Sequence, residues 1–283
     1  MKKHVYVITP SWIIKNKSDY INGIKNLEKL GLTIINKSQI GKIKKIPSIE
    51  EKIKQLHNAF LNRNVDIILA QRGGFGSMKL LPYINFNLIK KNYKLFAGFS
   101  DLSILLNVIN EKTGTITLHS PMIINFSKPS KFTLNSFVNA INNFQEKNLF
   151  KNVPLKILHN GIAKGKLKGG NLITLTALIG TNWEIDIDDT IVFFEDVDEK
   201  LHSMDRCFSQ WILAGKFRKI KGLILGNFKN LNIKDIYKIL NEQIKIKFPV
   251  VYCPFIGHTK NKITLPIGAT VELNTYKKAL IVK

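Results

Sequence analysis

Gly98-Phe99-Ser100-Asp101 closes an apolar run, Leu95 to Phe99, and a helical pattern begins at the next residue. Leu102, Leu105, Leu106 and Ile109 recur at i, i+3, i+4 and i+7, which is one face of a helix, and Gly114 supplies the stop. The segment reads strand, tight turn, helix. A serine on such a corner is a candidate nucleophile. The turn lifts its hydroxyl above the strand end, and the first free N–H groups of the helix point toward whatever the oxygen attacks.

The same alternation surrounds this corner. Apolar runs at Val5 to Thr9, Leu32 to Ile35 and Val65 to Ala70 are separated by polar, helix-like stretches such as Ser18 to Leu30 and Ile49 to Asn62. Strand and helix taking turns predicts an α/β fold with a parallel sheet covered by helices, in which sites form at the carboxyl ends of strands. Phe137, Ile141 and Phe144 keep helical spacing through Gln145 and close this first unit. From Glu146 to Lys168 the chain turns rich in Lys, Asn and Gly around Pro154, which reads as a connection. Gly169-Gly170-Asn171 and a helical stretch then open a second part with short strands at Thr190 to Phe194, Gly222 to Phe228, Val250 to Cys253, Thr270 to Leu273 and Ala279 to Val282. The expected organisation is a first domain at 1–150, a linker at 151–168 and a smaller β-rich domain at 169–283.

Composition limits the function classes. A chain of 283 residues buries a sizeable core, and 45% hydrophobic with 22% charged residues is the balance of a globular protein. No run of about 18 apolar residues offers a bilayer span, so no membrane association is expected. Met1-Lys2-Lys3 has the basic start of a signal peptide, but Val5 to Thr9 is too short for its apolar core and Pro10 follows. Those residues read as a first strand, and a cytoplasmic location is expected. Cys207 and Cys253 form no C-x-x-C or His/Cys cluster, so reduced, buried thiols are expected; no cofactor is expected. The net charge of +23 raises nucleic acid as a partner. Only four of the 43 basic residues are arginine, however, and the lysines are spread along the chain. Scattered lysine reads as a solvated surface, and no nucleic-acid partner is expected.

A serine nucleophile needs a base and an acid to orient it. Glu195 and Asp196 follow the apolar run Thr190 to Phe194, and in a continuing strand they point to opposite sides, so at most one faces a site. Glu195 is the candidate acid, against the alternative of a solvated turn or helix cap. Among six histidines, His258 follows Phe255-Ile256-Gly257, where glycine permits close backbone approach, and His119 in Leu118-His119-Ser120-Pro121 is its rival as base. The order Ser, Glu, His is that of α/β-hydrolase triads, although Leu102 stands where the last glycine of G-x-S-x-G belongs. A second turn, Arg72-Gly73-Gly74-Phe75-Gly76, lacks both the G-x-G-x-x-G and the G-K-[ST] spacing of nucleotide loops. Its N–H groups, with that of Asp101, are candidate oxyanion donors. Arg72 is a candidate partner for a substrate carboxylate or for Asp101.

Taken together, these segments resemble the LD-carboxypeptidases of the murein-recycling type, a serine peptidase family that also contains microcin C immunity-type peptidases. The resemblance rests on Thr9-Pro10-Ser11, the Arg72 to Gly76 turn, Gly98 to Asp101, His119-Ser120-Pro121-Met122 and Gly169-Gly170-Asn171-Leu172. It continues through Phe194-Glu195-Asp196, Asp205-Arg206, Leu213-Ala214-Gly215-Lys216, Gly257-His258 and Thr264-Leu265-Pro266-Ile267-Gly268. Phe75 stands where the family usually has tyrosine and Ser120 where glycine is frequent. The resemblance implies a triad of Ser100, His258 and Glu195, with the nucleophile in a Rossmann-like first domain and the other two on a β-rich second domain. It implies an oxyanion hole from N–H groups near Gly74 and Asp101, no metal, a homodimer, and cleavage of the L,D-bond before a terminal D-alanine in murein tetrapeptides. Two rivals stand beside it. One is a related peptidase acting on a peptidyl-nucleotide antibiotic, with Trp183 or Trp211 as a platform for the base. The other is a lysine-rich protein that binds nucleic acid or another anion.

Overall fold

The computed structural model describes residues 3–40 and 45–283. Met1 and Lys2, from the basic start considered above, lie outside the described residues. Strands β1 (His4–Ile8), β2 (Thr33–Ile34), β3 (Ile67–Ala70), β4 (Leu95–Gly98) and β5 (Thr117–His119) run parallel in the order 2-1-3-4-5. Successive residues serve opposite faces. Val5, Val7, Ile67 and Leu69 pack with Leu27, Phe126 and Phe137 on one side, while Ile8, Ile68, Ala70 and Phe96 pack with Phe60 and Leu105 on the other. Both faces are therefore apolar, which is why these strands read as continuous hydrophobic runs. The helices Lys17–Lys29 and Lys131–Asn142 bring Leu27 and Phe137 to the first face, and Ile49–Leu61 and Ser103–Thr113 bring Phe60 and Leu105 to the second. In this strand order the chain reverses direction across the sheet between β1 and β3, and ligand crevices open at the carboxyl ends beside such a reversal.

The second sheet is built from β6 (Lys156–His159), β7 (Ile162–Asn171), β8 (Thr190–Asp196), β9 (Gly222–Phe228) and β10 (Val250–Tyr252), with β12 (Thr270–Asn274) and β13 (Ala279–Val282) at one edge. Strands β7 to β10 are parallel, and β6, β12 and β13 are antiparallel to their neighbours. The short β11 (Leu265–Ile267), which precedes β12, leaves this sheet and pairs antiparallel with β5 of the first. The molecule is thus a Rossmann-like parallel sheet with a strand-rich second layer, as the alternation and the resemblance implied.

Two stretches differ from expectation. Residues 151–168, read as a connection, carry β6 and most of β7. Along β7, Ile162, Lys164 and Lys166 are exposed while Ala163 and Gly165 are more covered, a period of two disguised by lysine and glycine in place of large apolar residues. Leu265–Ile267 carries Pro266 and is only three residues long, so no local signal marks it as a strand.

The sheets are clipped together just behind the corner at Ser100. Asn107 accepts from the Gly169 N–H (3.1 Å) and donates to its carbonyl (2.8 Å), and Ser103 Oγ accepts from the Asn171 N–H (3.0 Å). A Cβ on Gly170 would overlap Ser103 Oγ, so the Gly-Gly-Asn sequence is what lets β7 end against this helix. Lys168 pairs with Glu111 across the same seam.

Candidate active site

At the end of β4 the backbone turns through Ser100 with φ at +66°, the left-handed region that a non-glycine residue occupies at a cost on the order of 1–3 kcal/mol. A 3₁₀ turn, Ser100–Leu102, leads into the helix Ser103–Thr113, which stops at Gly114 with φ +73°. Gly98 leaves room for this path, since a Cβ there would meet Leu102 Cγ at 3.2 Å and Ala70 Cβ at 3.3 Å. Leu102 is fully buried, which explains why no glycine ends the elbow: its side chain fills the space over Gly98.

His258 meets this hydroxyl. Its Nε2 lies 3.2 Å from Ser100 Oγ and its Nδ1 lies 2.8 Å from Glu195 Oε2. Because the carboxylate accepts from Nδ1–H, Nε2 is left as the acceptor facing serine. Glu195 has no solvent exposure. The pairing of β8 with β9 shifts register between Phe194 and Asp196, at the residue that carries this carboxylate. Burial alone pushes the Glu195 carboxyl up, and the hydrogen bond and charge of His258, with smaller help from His119 and Asn171, hold it below the usual range. Gly257, with φ +98°, backs onto the carboxylate so closely that a Cβ would overlap Glu195 Oε2.

Asp196 turns the other way, as strand alternation requires. It accepts from the N–H of Ile173 (2.9 Å), from that of Val197 (2.8 Å) and from the Asn171 amide (3.1 Å). Burial raises it to about 6. His119, the rival base, is buried between the rings of Phe99 and Phe193, with centroids 5.6 and 5.0 Å away, and burial lowers it to about 4. It makes no hydrogen bond to Ser100.

The turn after β3 packs against Ser100 through Gly73. A Cβ there would sit 2.9 Å from Ser100 Cβ and 3.1 Å from Oγ. Gly74, with φ +135°, abuts Trp12 instead. Arg72 is half-buried and its side chain forms no hydrogen bond or ion pair among the described residues, so the pairing with Asp101 is not formed. Asp101 accepts instead from Ser11 Oγ and from the Ser77 N–H (3.0 Å), and its carbonyl accepts from Ser77 Oγ (2.6 Å). This carboxylate ties the loops after β1 and β3 to the elbow. Trp211 is core, donating to Thr176 Oγ1 at 2.8 Å, and Trp183 packs on Phe86 beneath Lys112. Lys112 lies nine residues along the helix from Ser103, about 14 Å by helical rise. Trp211 is closed to solvent and so offers no platform for a base. Of the residues that support the site, Ser11 enters the sequence reading only within Thr9-Pro10-Ser11, and Ser77, Ser103 and Asn107 do not enter it. Ser103 and Asn107, polar at i and i+4 within an apolar helix, carried the one usable signal.

A hydroxyl at a strained strand-to-helix elbow, an imidazole and a buried carboxylate in line belong to the serine hydrolases. Residues 5–120 match the family described as the LD-carboxypeptidase N-terminal domain, and residues 164–273 match the LD-carboxypeptidase C-terminal domain. The chain belongs to the LD-carboxypeptidase family and is a serine-type hydrolase. It is 31% identical over 273 residues to a probable murein peptide carboxypeptidase of Bacillus subtilis, covering 91% of this chain and 84% of that one. It is 26% identical over 297 residues to the microcin C7 self-immunity protein of Escherichia coli, covering 91% and 86%. The fold superposes on a muramoyltetrapeptide carboxypeptidase from Oxalobacter formigenes with a TM-score of 0.84 at 28% identity, covering 98% and 97%.

Proposed function

We propose that this protein is a serine carboxypeptidase that cleaves the L,D-peptide bond before a terminal D-alanine in murein tetrapeptides. The observation that carries the reading is the line Ser100 Oγ, His258 Nε2 and Glu195 Oε2 within a chain similar along most of its length to carboxypeptidases. In this mechanism Nε2 takes the serine proton as Oγ attacks the peptide carbonyl, and Glu195 orients the imidazole and stabilises its charged form. The N–H groups of Gly74 and Asp101 hold the developing oxyanion. His258 then gives its proton to the leaving amine, and water takes the place of D-alanine to hydrolyse the acyl-enzyme. Arg72, whose guanidinium has no partner among the described residues, is available for a substrate carboxylate.

Cell-wall recycling, a cytoplasmic location and a homodimer complete the reading. The unpaired, buried Cys207 and Cys253 fit a reducing compartment, and light scattering on the purified protein reads the dimer. No helix among the described residues is long and apolar enough to cross a membrane. The test is D-alanine release from a murein tetrapeptide by the wild type and by Ser100→Ala. Loss of about 10⁴-fold or more in turnover with the fold intact is expected, and unchanged turnover removes the serine mechanism.

A further inference from the structure

Beside His258 lies a cleft of about 500 Å³, lined by Phe99 and His258 with Lys262, Lys260, Lys128 and Asp19 around them. Its charge is lopsided. Asp19 accepts from Ser127 Oγ at 2.7 Å, while three ammonium groups share the wall. Lys262 is the unusual member, because it is only 9% exposed and forms no ion pair among the described residues. Its Nζ donates to the carbonyl of Gly257 at 2.8 Å and stands 4.8 Å from the centroid of the Phe99 ring. The imidazole of His258 stands 4.8 Å from the same ring. An ammonium has three donors, so two of those on Lys262 remain unspent. Burying a cation without a carboxylate in direct contact is costly, and burial lowers this one to about 8 against the opposing charge of Glu195. A buried, fixed, under-bonded cation that opens on a cleft is suited to an anion from outside.

Reaction geometry identifies the anion. In a serine peptidase the imidazole returns its proton to the leaving amine, so the leaving residue must lie on the histidine side of the nucleophile. In a C-terminal amino acid that amine and the terminal carboxylate are bonded to one carbon. The carboxylate therefore falls just beyond Nε2, on the side where this cleft opens. We infer that Lys262 is the specificity-determining residue that receives the substrate's free C-terminal carboxylate, making the enzyme an exopeptidase and leaving Arg72 to the acyl portion of the peptide. The inference rests on the carboxypeptidase reading above. Lys262 also pins the carbonyl beside His258, so its test must separate recognition from positioning.

Two peptides accomplish this: the murein tetrapeptide acid and the same peptide ending in D-alaninamide. Removing a charge-assisted hydrogen bond costs a factor of about ten to a hundred, so the wild type should favour the acid in kcat/KM by about that factor. Lys262→Met, of similar length and uncharged, should bring the acid-to-amide ratio close to one, chiefly through KM for the acid. Lys262→Arg should retain most of the preference. A merely structural lysine would lower turnover of both peptides together and leave the ratio intact, and that result overturns the assignment while the carboxypeptidase reading stands. A wild type that cleaves neither peptide overturns both.

Discussion

The proposed nucleophile and its proposed base are held by different kinds of structure. Ser100 stands at the end of a buried parallel strand, on a corner set by Gly98, Gly73 and the clip from Ser103 and Asn107 to the second sheet. His258 stands in an irregular stretch between β10 and β11, a segment that leaves one sheet and enters the other. That stretch is fixed by scattered bonds: Lys262 N–H to Thr133 Oγ1 (2.9 Å), Thr264 N–H to Ser136 Oγ (2.9 Å) and Lys262 Nζ to Gly257. Both Thr133 and Ser136 lie on the helix Lys131–Asn142 of the first unit. These bonds tie the His258 loop to the first unit, while from β9 the Asn227 N–H donates to the Ile256 carbonyl (2.9 Å) and the Asn227 amide to the His258 carbonyl (3.4 Å), so both units hold the proposed base. A regular element fixes one partner and a few polar side chains fix the second, so the second is the more easily displaced.

Substitutions probe that contrast in order of expected effect. Glu195→Gln keeps the shape of the acid and removes its charge, leaving the imidazole without its counter-charge. A fall of about 10³- to 10⁴-fold in kcat is expected from steady-state kinetics on the tetrapeptide. Gly257→Ala forces a Cβ onto the Glu195 carboxylate at a φ that L-residues avoid. It should cost about 1–3 kcal/mol in stability by thermal or denaturant unfolding and, by displacing His258, about 10²-fold in activity. Wild-type activity in that variant would mean that the histidine loop is looser than its hydrogen bonds imply.

The smallest effect concerns pH. Lys262 is charged below about 8 and loses its proton above it, in the company of Glu195, His258, Asp19, Lys128 and Lys260. The acid-over-amide preference in kcat/KM, which reports the free enzyme, should be flat below about pH 8 and decline above it. Lys262→Arg, with a guanidinium that stays protonated, should hold the preference level across the same range. A decline of equal steepness in both proteins would assign it to another group.

The contrast also marks what the sequence made legible. Strands buried on both faces leave unbroken apolar runs, and a strand that ends at a turn before a helical period announces its corner, so the first sheet and Ser100 could be read locally. Glu195 was legible for a similar reason, as a carboxylate after an apolar strand, and Asp196 took the opposite side. The lysine-bearing β7 and the three-residue β11 were hidden because their burial depends on partners far along the chain. The partners of Asp101 were hidden likewise, since Ser11 lies 90 residues away and Ser77 lies 24. Lys262 looked like one of many surface lysines, and only its burial in space sets it apart.

The most direct test is a double-mutant cycle on Ser100 and His258. D-alanine release by Ser100→Ala, His258→Ala and the double variant should fall by the same amount within a small factor, because groups that act as one unit lose their function together. Losses that multiply in the double variant, or a single variant that retains turnover, would contradict the coupling of these side chains.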